Sequence, residues 1–414
     1  MNLLLQPSIV NLESSIAISG SKSETNRLLL LQSLYPELKI ENASNSDDSE
    51  VMLKALLSSK KECHTELVDV HHAGTAMRFL TAFFAIQEGQ EVILTGSSRM
   101  KERPIQILVE ALRQLGAEID YVENDGFPPL KITGKTLTKN NVSLPANVSS
   151  QYISALLLIA PKLEKGLQLT LEGAITSISY IKMTLELLNE IGVKTSFENN
   201  TIVVNPFSLF PSHFSLSVES DWSSASYWYS IVALSPIGTK ITLSSYKQNS
   251  LQGDAALAEI YKAFGVATTF EKTTIILEKT QNVKLKSLNL ELNNSPDIAQ
   301  TIAVTCFGLG MGCQLSGLHT LKIKETDRLQ ALKNELEKLG ATVIITDDSL
   351  ELIPSSISNE NVVIKTYQDH RMAMAFAPLA LKTSIVIEEA EVVSKSYPNF
   401  WNDLKQVGFQ ITEV

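Results

Sequence analysis

The chain has 414 residues, of which 44% are hydrophobic and 19% charged, and its formal net charge is −10. This length favours two domains, and this composition is typical of a globular protein rather than a disordered one. The acidic balance excludes nucleic-acid binding through an overall positive field, so the positions of lysine and arginine are more informative than their number.

Cysteine and histidine spacing gives no sign of a disulfide framework or a metal site. The three cysteines, Cys63, Cys306 and Cys313, form no C-x-x-C pair, and the chain has no H-E-x-x-H motif. Such usage favours a reducing compartment. No signal peptide is predicted, because no basic residue precedes the first leucines and Pro7 follows them. No apolar run approaches the ~18 residues of a membrane span, so we expect a cytoplasmic protein.

Six segments share one pattern, in which a loop of small and polar residues runs into an apolar helix. They begin at Gly20, Gly74, Ser149, Asp221, Ser295 and Asp369. The period of about 75 residues exceeds the ~20–50 residues of common solenoid repeats, so each repeat is predicted to be a small α/β module. The step from Gly20 to Gly74 is shorter than the others, which predicts that the first repeat is shortened.

Amphipathic helices that end in glycine form a second series between these loops. Their final residues are Gly116, Gly192, Gly265, Gly340 and Gly408. A glycine at this position lets a helix stop in the left-handed conformation. One apolar face, beginning after Pro104, comprises Ile105, Leu108, Val109, Leu112 and Leu115, and another comprises Leu329, Leu332, Leu336 and Leu339. β-Branched runs at Glu91–Thr95, Thr201–Val204 and 342–346 predict strands.

The repeated loops are predicted to bind anions. Each lies at or near the start of a helix, where unpaired N–H groups and the positive dipole end attract phosphate and carboxylate. Basic residues concentrate there: Lys22, Arg27, Arg78, Arg103, Lys324, Arg328, Arg371 and Lys395. Neutral hydrogen bonds can come from Ser23, Ser149, Ser150, Gln151 and Ser177. We therefore expect an enzyme for small anionic, phosphorylated substrates.

Two nucleotide-binding motifs are excluded by their spacing. The sequence GSKS at 20–23 lacks the arrangement of a P-loop. The glycine-rich run 308–312 follows an apolar helix rather than a strand, so it is predicted to be a helix terminus and a loop.

Four residues are candidates for proton transfer or helix capping. Glu325, flanked by two basic residues, favours proton transfer, whereas Asp327 is more typical of a helix cap. Asp297 lies at another helix start and is open between a cap and a general base. His370 is open between a core or capping residue and a functional one.

Five motifs, in this order, resemble those of the 5-enolpyruvylshikimate-3-phosphate synthase family. They are GSKS with Asn26-Arg27, AGTAMR at 73–78, RMKERP at 99–104, KETDR at 324–328 and DHRM at 369–372. The resemblance covers nearly the whole chain. It implies an α/β fold, a two-domain inside-out barrel with three βαβαββ repeats in each domain. Residues 1–19 and 219–414 would form one domain and 20–218 the other, with the active site in the cleft between them.

The resemblance also implies an activity. The enzyme would transfer the enolpyruvyl group of phosphoenolpyruvate to the 5-hydroxyl of shikimate 3-phosphate, by addition and elimination, and release phosphate. This step belongs to the shikimate pathway of chorismate and aromatic amino acid biosynthesis. The partners would be these two small molecules, with no nucleic acid and no membrane. The resemblance implies a monomer that needs no metal and no cofactor.

Family roles carried onto this sequence assign three groups of residues. Shikimate 3-phosphate would be contacted by Lys22, Ser23, Arg27, Ser149, Ser150, Gln151, Ser177, Asp297 and Lys324. Phosphoenolpyruvate would be contacted by Lys22, Gly74, Arg103, Gln151, Arg328, His370, Arg371 and Lys395. Asp297 would take the proton from the 5-hydroxyl. Glu325, with Lys22 nearby, would protonate the methylene carbon and later remove a proton.

Three positions depart from the family pattern. His72 and Thr320 stand where the family usually has asparagine, and Phe79 stands where it usually has proline. The contact made by the second asparagine is therefore not carried over to Thr320. Gly74 leaves room beside phosphoenolpyruvate, so the family's sensitivity to glyphosate is expected.

Two alternatives stay open. The UDP-N-acetylglucosamine enolpyruvyl transferases share the fold but typically use a loop cysteine, and the loop at 99–104 has none. A non-catalytic scaffold of α/β repeats would not account for Glu325 and Asp297 among so many cations.

Overall fold

A computed structural model describes residues 1–7, 9–58, 66–147, 149–207 and 214–414. The chain forms two compact units, unit 1 from Met1–Gly20 with Glu219–Val414, and unit 2 from Ser21–Val218. Cys63 lies outside the described residues, while Cys306 and Cys313 are buried free thiols. No helix in the described part of the chain is both long and apolar enough to cross a membrane.

Unit 1 begins with two strands, and the chain then enters unit 2. The strands are β1 (Leu3–Gln6) and β2 (Glu13–Ile16). Unit 2 contains α1 (Lys22–Leu34), β3 (Leu38–Glu41), α2 (Asp47–Ser58), β4 (Glu66–Asp69), α3 (Gly74–Ala85), β5 (Glu91–Thr95), α4 (Ser98–Lys101), α5 (Gln106–Leu115), β6 (Glu118–Tyr121), β7 (Leu130–Thr133), β8 (Asn141–Pro145), α6 (Ser150–Ile159), β9 (Leu167–Glu172), α7 (Ile178–Glu190), β10 (Thr195–Glu198), β11 (Thr201–Val204) and β12 (Phe214–Ser217).

The chain then returns to unit 1. Its remaining elements are α8 (Trp222–Leu234), β13 (Lys240–Ser244), α9 (Leu257–Ile260), β14 (Val266–Glu271), β15 (Thr274–Lys279), β16 (Ser287–Glu291), α10 (Ala299–Gly308), β17 (Gly312–Ser316), α11 (Arg328–Lys338), β18 (Thr342–Ile345), β19 (Leu350–Ile353), β20 (Val362–Ile364), α12 (His370–Phe376), β21 (Ile385–Ile387), α13 (Phe400–Gln406) and β22 (Gln410–Glu413). Short 3-10 turns include Gly253–Ala256, Pro296–Ile298, His319–Ile323 and Ala390–Lys395.

Five sheets repeat one pairing pattern, which confirms the predicted mixed α/β modules. In each sheet the first two strands are parallel. The third strand pairs with the second in antiparallel orientation, and the fourth pairs with the third in the same way. The orders are β4-β5-β7-β6 and β8-β9-β11-β10 in unit 2, and β2-β13-β15-β14, β16-β17-β19-β18 and β20-β21-β1-β22 in unit 1. A helix joins the two parallel strands in four of these sheets, because a parallel step needs a crossover, whereas all of unit 2 and α8 lie between β2 and β13. A further sheet pairs β12 with β3 in parallel and has two strands among the described residues.

Glycine ends the amphipathic helices as predicted. Residues Gly116, Gly192, Gly265, Gly340 and Gly408 have φ between 75° and 112°. The predicted apolar faces before Gly116 and Gly340 are fully buried. The first of these helices, α5, begins at Gln106 rather than directly after Pro104, because Ile105 is its N-cap. The run 308–312 spans the end of α10 and the start of β17, as predicted.

Aromatic packing fixes the start of α8 in the core of unit 1. The Trp222 ring meets the Tyr246 ring edge-on, with centroids 4.9 Å apart, and stacks on Tyr229 at 6.5 Å. Every residue of α8 is buried. Close packing of such large rings leaves little freedom to the neighbouring backbone, so the first turn of α8 is a rigid platform.

Candidate active site

Unit 1 carries a buried cluster of charges around Arg328, the first residue of α11. The guanidinium is 2% exposed and joins three acids. Nη1 lies 2.8 Å from Asp297 Oδ1, Nη2 lies 2.8 Å from Glu325 Oε2, and Nε lies 2.6 Å from Asp369 Oδ2. Charge-assisted bonds of this length are strong, and the planar guanidinium fixes the three carboxylates relative to one another.

Asp297 is held by three cations at once. Besides Arg328, Lys324 Nζ lies 3.6 Å from Oδ1 and Arg371 Nη2 lies 3.3 Å from Oδ2. Burial alone would raise the pKa of Asp297, but the cations, led by Arg371, hold it well below its ordinary value. Asp297 lies inside the 3-10 turn Pro296–Ile298, whose N-cap is Ser295, and Ile298 is the N-cap of α10.

The cations of the cluster respond to the same carboxylates. Burial would lower the pKa of Arg328, but Asp369, Glu325 and Asp297 raise it above the ordinary value. Burial lowers the pKa of Lys324, although Asp297 opposes that shift. Arginine therefore supplies permanent charge here, whereas Lys324 has the weaker hold on its proton.

Asp369 organises the start of α12 and was not singled out from the sequence. Its Oδ1 accepts a hydrogen bond from the Arg371 backbone N at 2.8 Å, while Oδ2 binds Arg328. His370 is buried, and its Nδ1 lies 3.9 Å from Asp369 Oδ1. Lys395 Nζ donates to the Gln368 carbonyl at 2.7 Å, so three predicted residues meet at one helix start.

Asp327 is the N-cap of α11, as predicted. Its side chain accepts a hydrogen bond from the Gln330 backbone N at 3.1 Å. The cap satisfies one of the N–H groups that a helix start leaves unpaired.

In unit 2, Lys22 opens α1 and faces an acid that the sequence did not indicate. Its Nζ lies 3.1 Å from Oδ2 of Asp48, in the first turn of α2. The other carboxylate oxygen of Asp48 lies 3.4 Å from Nε2 of His72. Asp48 is buried, so it links the predicted catalytic lysine to the histidine that departs from the family pattern.

The guanidinium of Arg27 uses most of its N–H groups in hydrogen bonds within unit 2. It donates to Thr184 Oγ1, the Ser23 carbonyl, Ser154 Oγ and the Tyr180 carbonyl at 2.7, 2.7, 3.0 and 3.3 Å. Burial lowers its pKa to about 10. The Phe79 ring lies 5.4 Å from the guanidinium carbon, within the range of a cation–π contact. Phe79 therefore packs against Arg27, and one Nη1 hydrogen of Arg27 has no acceptor among the described residues.

Arg78 ties together the two loops that carry Gly74 and Arg103. It donates to the Gly74 carbonyl at 3.2 Å through Nη1 and to the Pro104 carbonyl at 3.1 Å through Nη2. Tyr152 also donates to that second carbonyl, at 2.6 Å. The loop 99–104 is thereby fixed beside the start of α3.

Serines and a glutamine complete this half of the predicted site. Ser149 caps α6 by accepting from the Gln151 backbone N at 3.3 Å, and Gln151 Nε2 donates to Thr75 Oγ1 at 3.2 Å. Ser150 is buried at the same helix start. Ser177 precedes α7 with φ of 52°. A serine in this left-handed conformation costs on the order of 1 kcal/mol, and such strain clusters at ligand sites.

The described side chains suit anions rather than metal ions. Among them, no three His, Cys, Asp or Glu residues are placed to hold a metal. Arg103 Nε and Arg371 Nε are buried without a hydrogen-bond partner in the described part of the chain. Buried donors are rarely left unpaired, so each is available for an anionic ligand.

Solved structures share this fold over the whole chain. An EPSP synthase from Acinetobacter baumannii matches with a TM-score of 0.80 and 20% identity, covering 100% of both chains. The enolpyruvyl transferase NikO from Streptomyces tendae matches with a TM-score of 0.76 and 13% identity, covering 100% of this chain and 98% of that one. The chain therefore has the fold of the enolpyruvyl transferases.

Sequence comparison narrows this class. The model of the family EPSP synthase (3-phosphoshikimate 1-carboxyvinyltransferase) matches residues 57–404. A relative named 3-phosphoshikimate 1-carboxyvinyltransferase from Bacteroides fragilis is 47% identical over 99% of this chain and 98% of its own. One of the same name from Actinobacillus pleuropneumoniae is 35% identical over 96% and 97%. The chain belongs to the EPSP synthase family, which confirms the resemblance and favours neither alternative.

Proposed function

We propose that the chain transfers the enolpyruvyl group of phosphoenolpyruvate to the 5-hydroxyl of shikimate 3-phosphate and releases phosphate. Membership of the EPSP synthase family supports this activity. The structural observation that carries it is Arg328, whose guanidinium binds both Asp297 and Glu325, the carboxylates proposed to move protons. Preorganised charges of this kind stabilise charge that develops in a transition state.

Unit 2 would supply neutral and basic contacts. Shikimate 3-phosphate would be held by Ser23, Arg27, Ser149, Ser150 and Ser177, and phosphoenolpyruvate by Gly74 and Arg103, with Lys22 and Gln151 contacting both. The buried Arg103 Nε, with no partner among the described residues, supports its assignment to an anion. Arg27 would contribute through its remaining Nη1 hydrogen and through its charge.

Unit 1 would supply the proton transfers. Lys324 and Asp297 would contact shikimate 3-phosphate, and Arg328, His370, Arg371 and Lys395 would contact phosphoenolpyruvate. Asp297 would remove the proton from the 5-hydroxyl, and Glu325, with Lys22, would protonate the methylene carbon and then take a proton back. The steps form an addition followed by an elimination, with no metal and no cofactor.

Substrate binding and activation of the base are coupled in this scheme. Without substrate, three cations hold the pKa of Asp297 so low that it is a poor base. Anionic groups that bind Lys324, Arg328 and Arg371 compete for the same charges. Their arrival would raise the pKa of Asp297 toward the range where a general base works best. The base would therefore become active only once both anions are in place.

The proposal further takes the protein as a cytoplasmic monomer that acts on these two small molecules. The acidic net charge and the absence of a C-x-x-C pair support it. Size-exclusion chromatography with light scattering would test the oligomeric state, and a dimer would contradict it.

Phosphate release distinguishes the proposed function from the alternatives. The purified chain is given phosphoenolpyruvate with either shikimate 3-phosphate or UDP-N-acetylglucosamine, and Glu325→Gln serves as the control. We expect phosphate only with shikimate 3-phosphate and a strong loss of activity in the variant. Release only with the sugar nucleotide would overturn the assignment, and release with neither would favour a scaffold.

A further inference from the structure

Arg371 is held by few groups, although it is buried. Nη1 donates to the Asp297 carbonyl at 3.3 Å, and Nη2 lies 3.3 Å from Asp297 Oδ2 and 3.2 Å from Ser223 Oγ. Nε has no hydrogen-bond partner among the described residues. The Asp297 carboxylate is proposed to gain a proton during the reaction, and the loss of its charge would weaken its ion pair with Arg371. Ser223 is then the side chain that keeps Nη2 in place.

The Ser223 hydroxyl can make these contacts in one orientation only. A guanidinium donates and never accepts, so Ser223 Oγ accepts from Arg371. The single hydroxyl proton of Ser223 is donated to Oδ2 of Asp254. The three groups therefore form a directed relay from Arg371 through Ser223 to Asp254.

Asp254 lies in the 3-10 turn Gly253–Ala256 and is buried. The charged groups around it are Asp297, Arg371 and Asp221, each on a different element. Burial first, and then Asp297, raise the pKa of Asp254 to about 7, while Arg371 and the Ser223 hydrogen bond oppose the rise. The ionised carboxylate completes the relay, whereas the protonated form competes with Ser223 for the position of the shared proton.

We propose that Asp254, acting through Ser223, is a positioning residue that orients the Arg371 guanidinium for the carboxylate or phosphate group of an anionic substrate. Ser223 lies in the rigid first turn of α8, so its hydroxyl is held in a fixed place between Asp254 and Arg371. This inference rests on the proposed function, since that function makes phosphoenolpyruvate the ligand of Arg371.

Steady-state kinetics of Asp254→Asn and Ser223→Ala test the relay. We expect KM for phosphoenolpyruvate to rise about ten-fold in each, the effect of losing one hydrogen bond to a charged group. The kcat value and KM for shikimate 3-phosphate should change less than three-fold, and Ser223→Thr, which keeps a hydroxyl, should restore KM. Asp403→Asn is the matched control, because Asp403 accepts a 2.7 Å hydrogen bond from the Tyr397 hydroxyl and has no bond to Ser223 or Arg371.

The pH dependence supplies a readout that a merely structural role would not move. In the unaltered enzyme, KM for phosphoenolpyruvate should fall as pH rises through about 7, because Asp254 ionises and completes the relay. Asp254→Asn should lack this component, while Asp403→Asn should keep it.

Three outcomes separate the claims. Unaltered enzyme that releases no phosphate with shikimate 3-phosphate overturns both the proposed function and the relay. Active enzyme in which Asp254→Asn and Ser223→Ala keep the original KM and pH profile overturns the relay alone. The relay would also be overturned if Asp254→Asn and Ser223→Ala raised KM equally for both substrates and lowered Tm, and if Ser223→Thr did the same. Asp254 would then have a role in stability alone.

Discussion

The guanidinium of Arg103 occupies the space that a side chain at Gly74 would need. A Cβ added to Gly74 would lie 2.5 Å from Nη1 and 2.8 Å from Nη2 of Arg103. The Arg103 guanidinium therefore packs directly against the backbone of Gly74. Arg78 fixes this backbone by donating a hydrogen bond to the Gly74 carbonyl.

Gly74→Ala should displace Arg103 and weaken the binding of phosphoenolpyruvate. The clash is with the end of a flexible side chain, so we expect the fold to survive and KM for phosphoenolpyruvate to rise about ten-fold, the loss of one charge-assisted contact. KM for shikimate 3-phosphate should not change. In an Arg103→Lys background, which lacks the planar guanidinium, Gly74→Ala should raise KM for phosphoenolpyruvate by a smaller factor. Equal effects in both backgrounds would disprove the coupling.

Glyphosate should inhibit the unaltered enzyme in competition with phosphoenolpyruvate, because Gly74, which has no side chain, lets the Arg103 guanidinium keep its place. The measurement is the initial rate at several concentrations of both compounds. Inhibition should weaken in Gly74→Ala, whose methyl group moves Arg103. Noncompetitive inhibition, or none, would contradict this expectation.

Lys22→Met should abolish most activity and leave unit 2 folded. The variant removes the central cation, and loss of one preorganised charge typically costs about 100- to 1,000-fold in kcat. It also leaves Asp48 without its 3.1 Å partner, so Tm should drop by a few degrees. The control is Lys54→Met, which removes an exposed lysine of α2 that pairs with Glu50. A fully active Lys22→Met enzyme would take this cation out of the mechanism.

Asp297→Asn should destabilise unit 1 in a pH-dependent way. It leaves Arg328, Arg371 and Lys324 short of a buried carboxylate, at a cost of about 3 kcal/mol. The folded state lowers the pKa of Asp297, so its stabilisation is fully present above the unfolded value of about 3.9 and is lost as pH falls below it.

Urea unfolding of the unaltered protein and of Asp297→Asn measures the difference in unfolding free energy. The titration should run from about one pH unit below the unfolded pKa of Asp297 to about four units above it. The gap in unfolding free energy should be constant above about pH 5 and should shrink in acid. Asp347→Asn, at an exposed ion pair with Lys322, should show no gap. A gap that widens in acid would contradict the assignment.

Phe79→Leu should affect the binding of shikimate 3-phosphate through Arg27. The ring lies 5.4 Å from the guanidinium carbon, and a cation–π contact is worth about 0.5–2 kcal/mol. We therefore expect KM for shikimate 3-phosphate to rise about three-fold, with KM for phosphoenolpyruvate unchanged. Phe83→Leu, a buried phenylalanine of the same helix that packs on Phe84, controls for the loss of ring volume. Equal KM values in the two variants would disprove the role of Phe79.

Local patterns in the sequence predicted those features that depend on neighbours along the chain. Helix periodicity, the glycine stops and the Asp327 cap depend on residues within a few positions of each other, and the structure confirms them. The repeats also predicted the mixed α/β modules, and five of the sheets share one pairing pattern.

Contacts between distant segments had no such signal. Asp48 in α2 meets Lys22 in α1, and Asp254 meets Ser223 although the rest of α8 and the strand β13 lie between them in the chain. Asp369 could have been noticed, since it opens the DHRM motif and precedes a helix, where an acid commonly caps. Nothing in the local sequence of Asp254 distinguishes it from a surface aspartate, because its burial and its raised pKa come from packing alone.

The strand β1 has a consequence for how the chain is made. Strand β2 pairs with β13, so its partner leaves the ribosome only after unit 2. Leu3 in β1 pairs with Ile387 and Glu413, so the partners of β1 leave the ribosome only after most of unit 1 as well. Contacts of such separation form slowly, and an unpaired strand is a template for wrong pairing. Unit 2, encoded without interruption, can be complete beforehand. A nascent chain stopped before residue 410 would carry β1 without β22, and its exposed edge would make it a substrate for chaperones.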